Sequence, residues 1–205
     1  MSESSARFFS YVQSAACYRE LHQRAVELLP RGNGEAWFDV GCGPGLVTRL
    51  ASKHGYQASG FDIDAAMLEQ ARHNAAQTAT SSRYELLGIE ELIASGRKAQ
   101  VISAASLLIV LNEPQKMLRE LLSCLEADGT LLIIETTAHM RPRAAWSWLM
   151  NNGWRERNGI LLLWSWVRRH VRAVVPIPPP DYQIEQVNLF DNMVAAWLIR
   201  RTENR

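Results

Sequence analysis

Residues 38 to 51 read Phe-Asp-Val-Gly-Cys-Gly-Pro-Gly-Leu-Val-Thr-Arg-Leu-Ala, and this stretch decides the fold. An apolar strand runs through three glycines at alternate positions, Gly41, Gly43 and Gly45, directly into a helical pattern. Glycines adopt the positive φ angles of a sharp turn and let backbone amides approach a ligand closely. The dinucleotide fingerprint needs a third glycine where Leu46 stands. The stretch therefore predicts a nucleotide-type pocket of another kind.

With Asp39 two residues ahead of the first glycine, the loop resembles motif I of class I S-adenosylmethionine-dependent methyltransferases of the small-molecule type. The resemblance covers residues 15–136 and the C-terminal hairpin. It implies S-adenosylmethionine as the cofactor and S-adenosylhomocysteine as the product. The cofactor-binding residues that it implies are Tyr18, Asp39, Gly41, Cys42, Gly43, Gly45, Asp62, Ile63, Met67, Glu90 and Ala105.

The resemblance also implies particular roles after the second and third strands. In the family, an acidic residue at the end of the second strand holds the ribose hydroxyls, and here that residue is Asp62. A carboxylate suits a vicinal diol because it accepts two hydrogen bonds. Ile63 would lie against the adenine face with Met67 close by, and Glu90 would contact the adenine amine. Tyr18 lies in an Ala-x-x-Tyr pattern that resembles the family's approach to motif I, so we expect it to cover the cofactor.

Strand and helix patterns alternate along the chain, which predicts a single α/β domain over residues 1–205. We expect a Rossmann-like, seven-stranded, mostly parallel sheet that ends in an antiparallel hairpin around Asp191-Asn192. A helical region over Ala6–Leu29 precedes the sheet. The predicted strands are Ala36–Val40, Tyr56–Phe61, Arg83–Gly88, Val101–Ala104, Thr130–Glu135, Gln183–Leu189 and Met193–Arg200.

Residues 137–181, called the insert below, depart from this alternation. Between His139 and Arg172 the insert carries seven arginines against one glutamate, a net charge of +6, and five of the seven tryptophans of the chain. We expect a helical lid after strand five whose aromatic residues, Trp146 and Trp164 among them, line the acceptor pocket. Two other interpretations stay open: ordinary core packing with solvated arginines, or a surface for a homodimer or for peripheral membrane contact.

Methyl transfer from a sulfonium is an in-line displacement, so the protein must align the acceptor and exclude water. A hydroxyl or protonated amine acceptor also needs a base, and the candidates are Glu135 at the end of strand five and His139 four residues later. No metal is expected, because the three cysteines show no metal-binding spacing. The remaining histidines are expected at the surface: His22, His54, His73 and His170.

These features favour a small, partly apolar acceptor, an aromatic or lipid-like metabolite. Many small-molecule members of the family carry a His-His pair where this chain has Ile109 and Val110, so we do not expect chemistry that uses those histidines. The Asp/Asn-Pro-Pro-aromatic signature of base methylation is missing, and a net charge of +1 gives no general attraction to nucleic acid. The alternatives are methylation of RNA or protein, and a non-catalytic subunit that binds the cofactor. The N-terminus lacks a signal-peptide pattern and the cysteines suit reduced thiols, so we expect a cytoplasmic protein.

Overall fold

The computed structural model describes residues 3–154, 156–170 and 173–202. The strands are β1 (Ala36–Val40), β2 (Gln57–Asp62), β3 (Arg83–Leu86), β4 (Ala99–Ala105), β5 (Leu125–Thr136), β6 (Tyr182–Leu189) and β7 (Val194–Arg201). The helices are α1 (Glu3–Gln13), α2 (Ala16–Val26), α3 (Leu46–Lys53), α4 (Ala65–Gln77), α5 (Ile89–Ala94), α6 (Pro114–Ser123), α7 (Pro142–Asn152) and α8 (Ile160–Arg168). A 3₁₀ turn at Leu108–Val110 follows β4.

The seven strands form one sheet in the order β3-β2-β1-β4-β5-β7-β6. Strands β1 to β5 are parallel, whereas β7 pairs antiparallel with both β5 and β6. The strand order reverses between β1 and β4, so the loops after these two strands diverge and leave a crevice at their carboxyl ends. This topology confirms the fold class predicted from the sequence and places the glycine loop at that crevice.

Both faces of the sheet are covered, because alternate residues of each central strand point to opposite sides. On one side, Trp37 of β1 and Leu132 of β5 pack in a cluster with residues of α2, α3, α7 and α8. On the other side, Phe38 and Leu131 pack with residues of α6. The helices of the insert therefore belong to the same apolar layer as the N-terminal helix α2.

The N-terminal helical region and the start of β5 differ most from the prediction. The N-terminal helical region consists of two helices, since the chain breaks at Ser14-Ala15 between α1 and α2. Strand β5 begins at Leu125, five residues before the predicted start. Its pairing with β4 jumps from Ala99↔Leu125 to Val101↔Thr130, so the intervening residues bulge out of the ladder.

The hairpin between β6 and β7 has the predicted turn. Asp191 and Asn192 have φ angles of 51° and 65°, and the Met193 amide donates to the Phe190 carbonyl at 3.0 Å. Positive φ at both central residues matches the twist of the flanking strands. Among the described residues, no helix is long and apolar enough to cross a membrane.

The insert contributes α7 and α8, which follow β5 as predicted. The loop between them is fastened to the start of α2: Glu156 accepts a backbone hydrogen bond from Ala16 at 3.1 Å, and the Asn158 side chain accepts one from Cys17 at 2.8 Å. Helix α2 has no capping side chain of its own, so the insert satisfies two of its N-terminal amides. Of the arginines counted in the insert, Arg155 and Arg172 lie outside the described residues.

Candidate active site

The glycine loop has the backbone that its sequence predicts. Gly41, Gly43 and Gly45 have φ angles of 68°, 50° and 76°. A Cβ atom on Gly45 would lie 2.7 Å from the Tyr84 ring, whereas one on Gly43 would meet no atom within 4 Å. Both the Gly41 and the Cys42 amide donate to the Phe61 carbonyl, which ties the loop to the end of β2. The loop is therefore fixed to β2, with open space beside Gly43.

Asp39 is buried beneath this loop, and its carboxylate is bonded inside the protein. Oδ2 accepts from the Thr48 amide at 3.0 Å and from the Thr48 hydroxyl at 2.7 Å, while Oδ1 accepts from the Ser103 hydroxyl at 2.8 Å. Burial raises the pKa of Asp39 to about 6, although these hydrogen bonds oppose the shift. Because the Thr48 amide lies in the first turn of α3, Asp39 connects β1, β4 and α3 under the glycine loop.

Asp62 at the end of β2 faces the glycine loop from the other side. Its Oδ2 accepts from the Gly43 amide at 2.8 Å, and its Oδ1 accepts from the Asp64 amide at 3.0 Å. Each oxygen keeps a second lone pair, so the carboxylate retains acceptor capacity for two hydroxyl groups. Ile63 beside it is 81% exposed. Such an apolar side chain at the crevice fits the face of a flat aromatic ligand.

The other residues predicted near the adenine lie in different environments. Met67 is buried among the core residues of α4. Glu90 is exposed in the first turn of α5, where its neighbour Glu91 accepts a hydrogen bond from the Gly88 amide at 2.8 Å. Ala105 is partly buried at the carboxyl end of β4.

Glu135 lies on β5 near the end of this strand, and its side chain is 1% exposed. Its Oε1 accepts from the Ile109 amide at 3.2 Å, and its Oε2 has no hydrogen-bond partner among the described residues. Burial raises the pKa of Glu135 to about 7, although nearby backbone amides and the charge of Arg168 oppose the shift. A buried carboxyl with an unused oxygen and a near-neutral pKa is a suitable general base.

An aromatic cluster from α2 and α8 lies within electrostatic range of Glu135. The Tyr18 ring stacks on His22 at 4.3 Å between centroids and contacts the Trp164 ring at 5.1 Å. Burial raises the pKa of Tyr18 to about 12, with the charge of Arg168 and a hydrogen bond with Ser106 opposing the shift, so the phenol is neutral. The charges of Glu135 and Asp39 add to the raised pKa of Tyr18, so both carboxylates act on its phenol electrostatically.

Among the predicted catalytic and substrate residues, Glu135 and Trp164 lie in the same region as Tyr18, which was predicted to cover the cofactor. Trp146 and His139 lie in exposed positions. Trp146 is exposed on α7 and makes an edge contact with Trp154 at 5.9 Å between centroids. His139 is exposed after β5, and its amide donates to the Thr137 hydroxyl at 3.0 Å.

Sequence reasoning missed three residues of this region: His22, Ser106 and Arg168. The expectation that His22 is a surface residue is wrong, because it is 2% exposed and donates from Nδ1 to the Tyr18 carbonyl at 2.8 Å. Burial lowers its pKa to about 4, so it is neutral. Its position four residues after Tyr18 on a helix was the available signal. No sequence pattern indicated Ser106 or Arg168, because only tertiary packing brings them near Tyr18.

Comparison with known proteins agrees with this geometry. A family model described as a methyltransferase domain matches residues 8–173. The ubiquinone biosynthesis O-methyltransferase of Coxiella burnetii is 29% identical over 98 residues, which are 48% of this chain and 42% of that enzyme. The ribosomal protein L11 methyltransferase of Laribacter hongkongensis is 28% identical over 138 residues, 62% of this chain and 44% of that enzyme. The chain thus matches less than half the length of these curated relatives.

Solved structures share the fold. The plantazolicin methyltransferase BpumL, in complex with a pentazolic desmethylPZN analog and SAH, has a TM-score of 0.62 at 13% identity and covers 97% of this chain and 91% of its own. TrmN from Thermus thermophilus has a TM-score of 0.59 at 16% identity, and the match covers 90% of this chain and 49% of the TrmN chain.

The sheet order and the glycine loop define a class I methyltransferase fold. The chain belongs to the methyltransferase domain family, which uses S-adenosylmethionine. The sequence-based recognition of the family and of its cofactor is confirmed. The residues present fit this cofactor, because Gly43 borders open space, Asp62 keeps acceptor capacity and Ile63 offers an exposed apolar face.

Proposed function

We propose that the protein transfers a methyl group from S-adenosylmethionine to a small, partly apolar metabolite, aromatic or lipid-like, that bears a hydroxyl or protonated amine. The observation that carries the proposal is the buried Glu135 carboxyl, whose Oε2 has no hydrogen-bond partner among the described residues and which lies within electrostatic range of the Tyr18 phenol. The Tyr18 ring in turn contacts Trp164. Similarity to an O-methyltransferase over half of the chain supports a hydroxyl acceptor.

The loop residues hold the cofactor. Gly41, Cys42, Gly43 and Gly45 form the cradle, Asp62 binds the ribose, and Ile63 covers the adenine. Asp39 acts through Thr48 and Ser103 as a positioning residue. The other predicted cofactor contacts, Tyr18, Met67, Glu90 and Ala105, remain predictions.

The acceptor lies under the insert, which we take as the lid of a single domain. Bound S-adenosylmethionine supplies an electrophilic methyl group on a sulfonium. Glu135 Oε2 would take the proton of the acceptor hydroxyl as its oxygen bonds to the methyl carbon, and the electron pair of the broken carbon–sulfur bond would stay on sulfur. The rings of Tyr18 and Trp164 exclude water and hold the apolar body of the acceptor. Trp146 and His139 remain predictions for this site.

The test incubates the protein with methyl-radiolabelled S-adenosylmethionine and a lysate of the source cells. The products are then separated into organic-soluble, aqueous small-molecule and polymer fractions. We expect label in a small-molecule fraction, at a rate that rises with pH through about 7 as Glu135 ionises. Glu135→Gln should lower the rate about 10²- to 10⁴-fold. Glu126→Gln, an exposed glutamate on the same strand, is the matched control and should leave the rate unchanged.

A second candidate, a macromolecular acceptor, is favoured by the similarity to the L11 methyltransferase. Label confined to the polymer fraction would replace the small-molecule proposal with this one. Cofactor binding without label in any fraction would favour a non-catalytic subunit. A Glu135→Gln variant as active as wild type would remove Glu135 as the base.

A further inference from the structure

Helix α8 is apolar on two sides, although one side suffices for packing on the core. Leu161 and Ser165 are buried, and Trp164 faces Tyr18. Leu163, Trp166 and Val167 are 42%, 56% and 56% exposed. These three residues have the i, i+3, i+4 spacing that puts side chains on one face of a helix. A helix that is apolar on both faces is normally covered on both.

Exposed apolar residues continue from α8 to α7. Trp154, between the two helices, is 57% exposed and lies 3.4 Å from the Cβ position of Gly159, at the start of α8. It contacts Trp146, which is also exposed on α7. We call the following set of exposed residues the outer face of the insert: Trp146, Met150, Trp154, Leu163, Trp166 and Val167.

Cationic residues lie in the same segment as this outer face, and Arg169 contacts the face directly. The described residues between 139 and 170 carry five arginines against one glutamate, a net charge of +4. That glutamate, Glu156, pairs with Arg19 at 2.7 Å. Arg169 lies over the Trp166 ring at 3.8 Å from the ring centroid and donates to the Trp166 carbonyl. An arginine above an exposed tryptophan provides an apolar body and a charged tip, which is the arrangement found where protein meets lipid headgroups.

We propose that the outer face of the insert binds the surface of an anionic lipid bilayer. The tryptophans and aliphatic side chains enter the headgroup region, and the arginines contact lipid phosphates. The charge argues against a second copy of the chain, because a two-fold dimer through this face would set one cationic patch against another. The aliphatic Met150, Leu163 and Val167 argue against nucleic acid, since stacking on bases requires flat rings.

The geometry also relates this face to the active site. Trp164 faces Tyr18, while Leu163 and Trp166, its neighbours along α8, are exposed. Binding of α8 to a bilayer would bring the acceptor pocket close to the headgroups. Bilayer binding does not depend on methyl transfer, so each proposal can fail alone.

The test is sedimentation of the protein with vesicles of phosphatidylcholine, with and without phosphatidylglycerol. We expect binding to the anionic vesicles, a blue shift of tryptophan fluorescence, and weaker binding as salt rises. The double substitution Trp166→Ser with Val167→Ser should lower partitioning about tenfold or more. Ile184→Ser, which changes an exposed apolar residue of β6, is the matched control and should bind as wild type does.

A second variant distinguishes a loss of lipid contacts from a loss of folding. Arg143→Glu keeps the apolar residues and should weaken binding to anionic vesicles several-fold. Methyl-transfer activity without vesicles should stay unchanged in both insert variants. Absence of vesicle binding by the wild type would overturn the proposal. A dimer in light scattering that Trp166→Ser with Val167→Ser dissociates would overturn it in favour of a second copy.

Discussion

Three carboxylates lie near the carboxyl ends of β1, β2 and β5, and they differ in how many hydrogen bonds they accept within the protein. Within the described part of the chain, Asp39 accepts three hydrogen bonds and Asp62 accepts two from backbone amides. Glu135 accepts one there, at 3.2 Å, and its second oxygen has no partner. The fewer internal donors a carboxylate has, the more of its acceptor capacity remains for a ligand. Asp39 therefore supports the site, whereas Asp62 and Glu135 are available to bound molecules.

Replacing Asp62 tests the cofactor assignment. Asp62→Ala should weaken S-adenosylhomocysteine binding about tenfold or more, because a hydrogen bond to a charged group contributes about 1.5–3 kcal/mol. Isothermal titration calorimetry measures the change. Asp128→Ala, at an exposed position, is the control. Unchanged affinity for the Asp62 variant would remove the ribose role.

Glu135 also gives stability a pH dependence of defined sign. Its pKa is about 7 in the folded protein and near the ordinary 4.5 when unfolded. The folded state therefore holds a proton that the unfolded state has released between these pH values, so stability is lost as pH rises through this window. Asp39, with a raised pKa of about 6, contributes in the same direction.

Urea unfolding of wild type and Glu135→Gln at about pH 5 and about pH 8 isolates the Glu135 contribution. The free energy of unfolding should fall more steeply with pH for wild type, because glutamine does not ionise. Glu126→Gln should follow the wild type. Equal slopes for wild type and Glu135→Gln would show that the Glu135 pKa is not raised.

At the scale of elements, hydrogen bonds join the loop of the insert to the start of α2. The first turn of α2 receives its capping groups from a loop about 140 residues later in the chain, through Glu156 and Asn158. Arg157 adds a side-chain hydrogen bond to Ser14 and lies over the Tyr11 ring at 4.8 Å. Because α2 carries Tyr18 and α8 carries Trp164, this junction sets the distance between the two rings.

Asn158→Ala should lower the free energy of unfolding by about 1–3 kcal/mol, because it leaves the buried Cys17 amide without a partner. Urea denaturation measures the loss. Asn151→Ala, an exposed position on α7, should change stability by less than about 0.5 kcal/mol. The Asn158 variant should also lose methyl-transfer activity as Tyr18 and Trp164 separate. Wild-type stability would contradict the capping role.

At the scale of the whole molecule, cofactor binding should stabilise the fold. S-adenosylhomocysteine at about 100 times its dissociation constant should add about 2.7 kcal/mol, because it binds the folded state alone. Thermal unfolding with and without the ligand measures the gain. Asp62→Ala should show a smaller gain at the same concentration, and adenosine 5′-monophosphate is a suitable comparison ligand. No shift at saturating ligand would contradict the cofactor site.

Much of the fold was predictable from local signals. The glycines at alternate positions require positive φ and predict the turn after β1, while Asp191-Asn192 predicts the β6–β7 turn, because both signals act over a few residues. The bulge after Leu125 was not predictable, since it depends on pairing with β4. The burial of His22 was missed because it depends on tertiary contacts. Tyr18 stacks on His22, and Trp164 from the distant helix α8 contacts Tyr18.

The sequence by itself determined the sheet, the glycine loop and the cofactor family, because these depend on residue spacing within single strand–turn–helix units. The tertiary structure alone decided which side chains meet at the acceptor end. Glu135, Tyr18 and Trp164 come from three elements separated by up to about 145 residues. Trp146, also predicted to line the acceptor pocket, is exposed and contacts Trp154. Packing between distant segments depends on the burial of many side chains together, so no single residue spacing in the sequence predicts it.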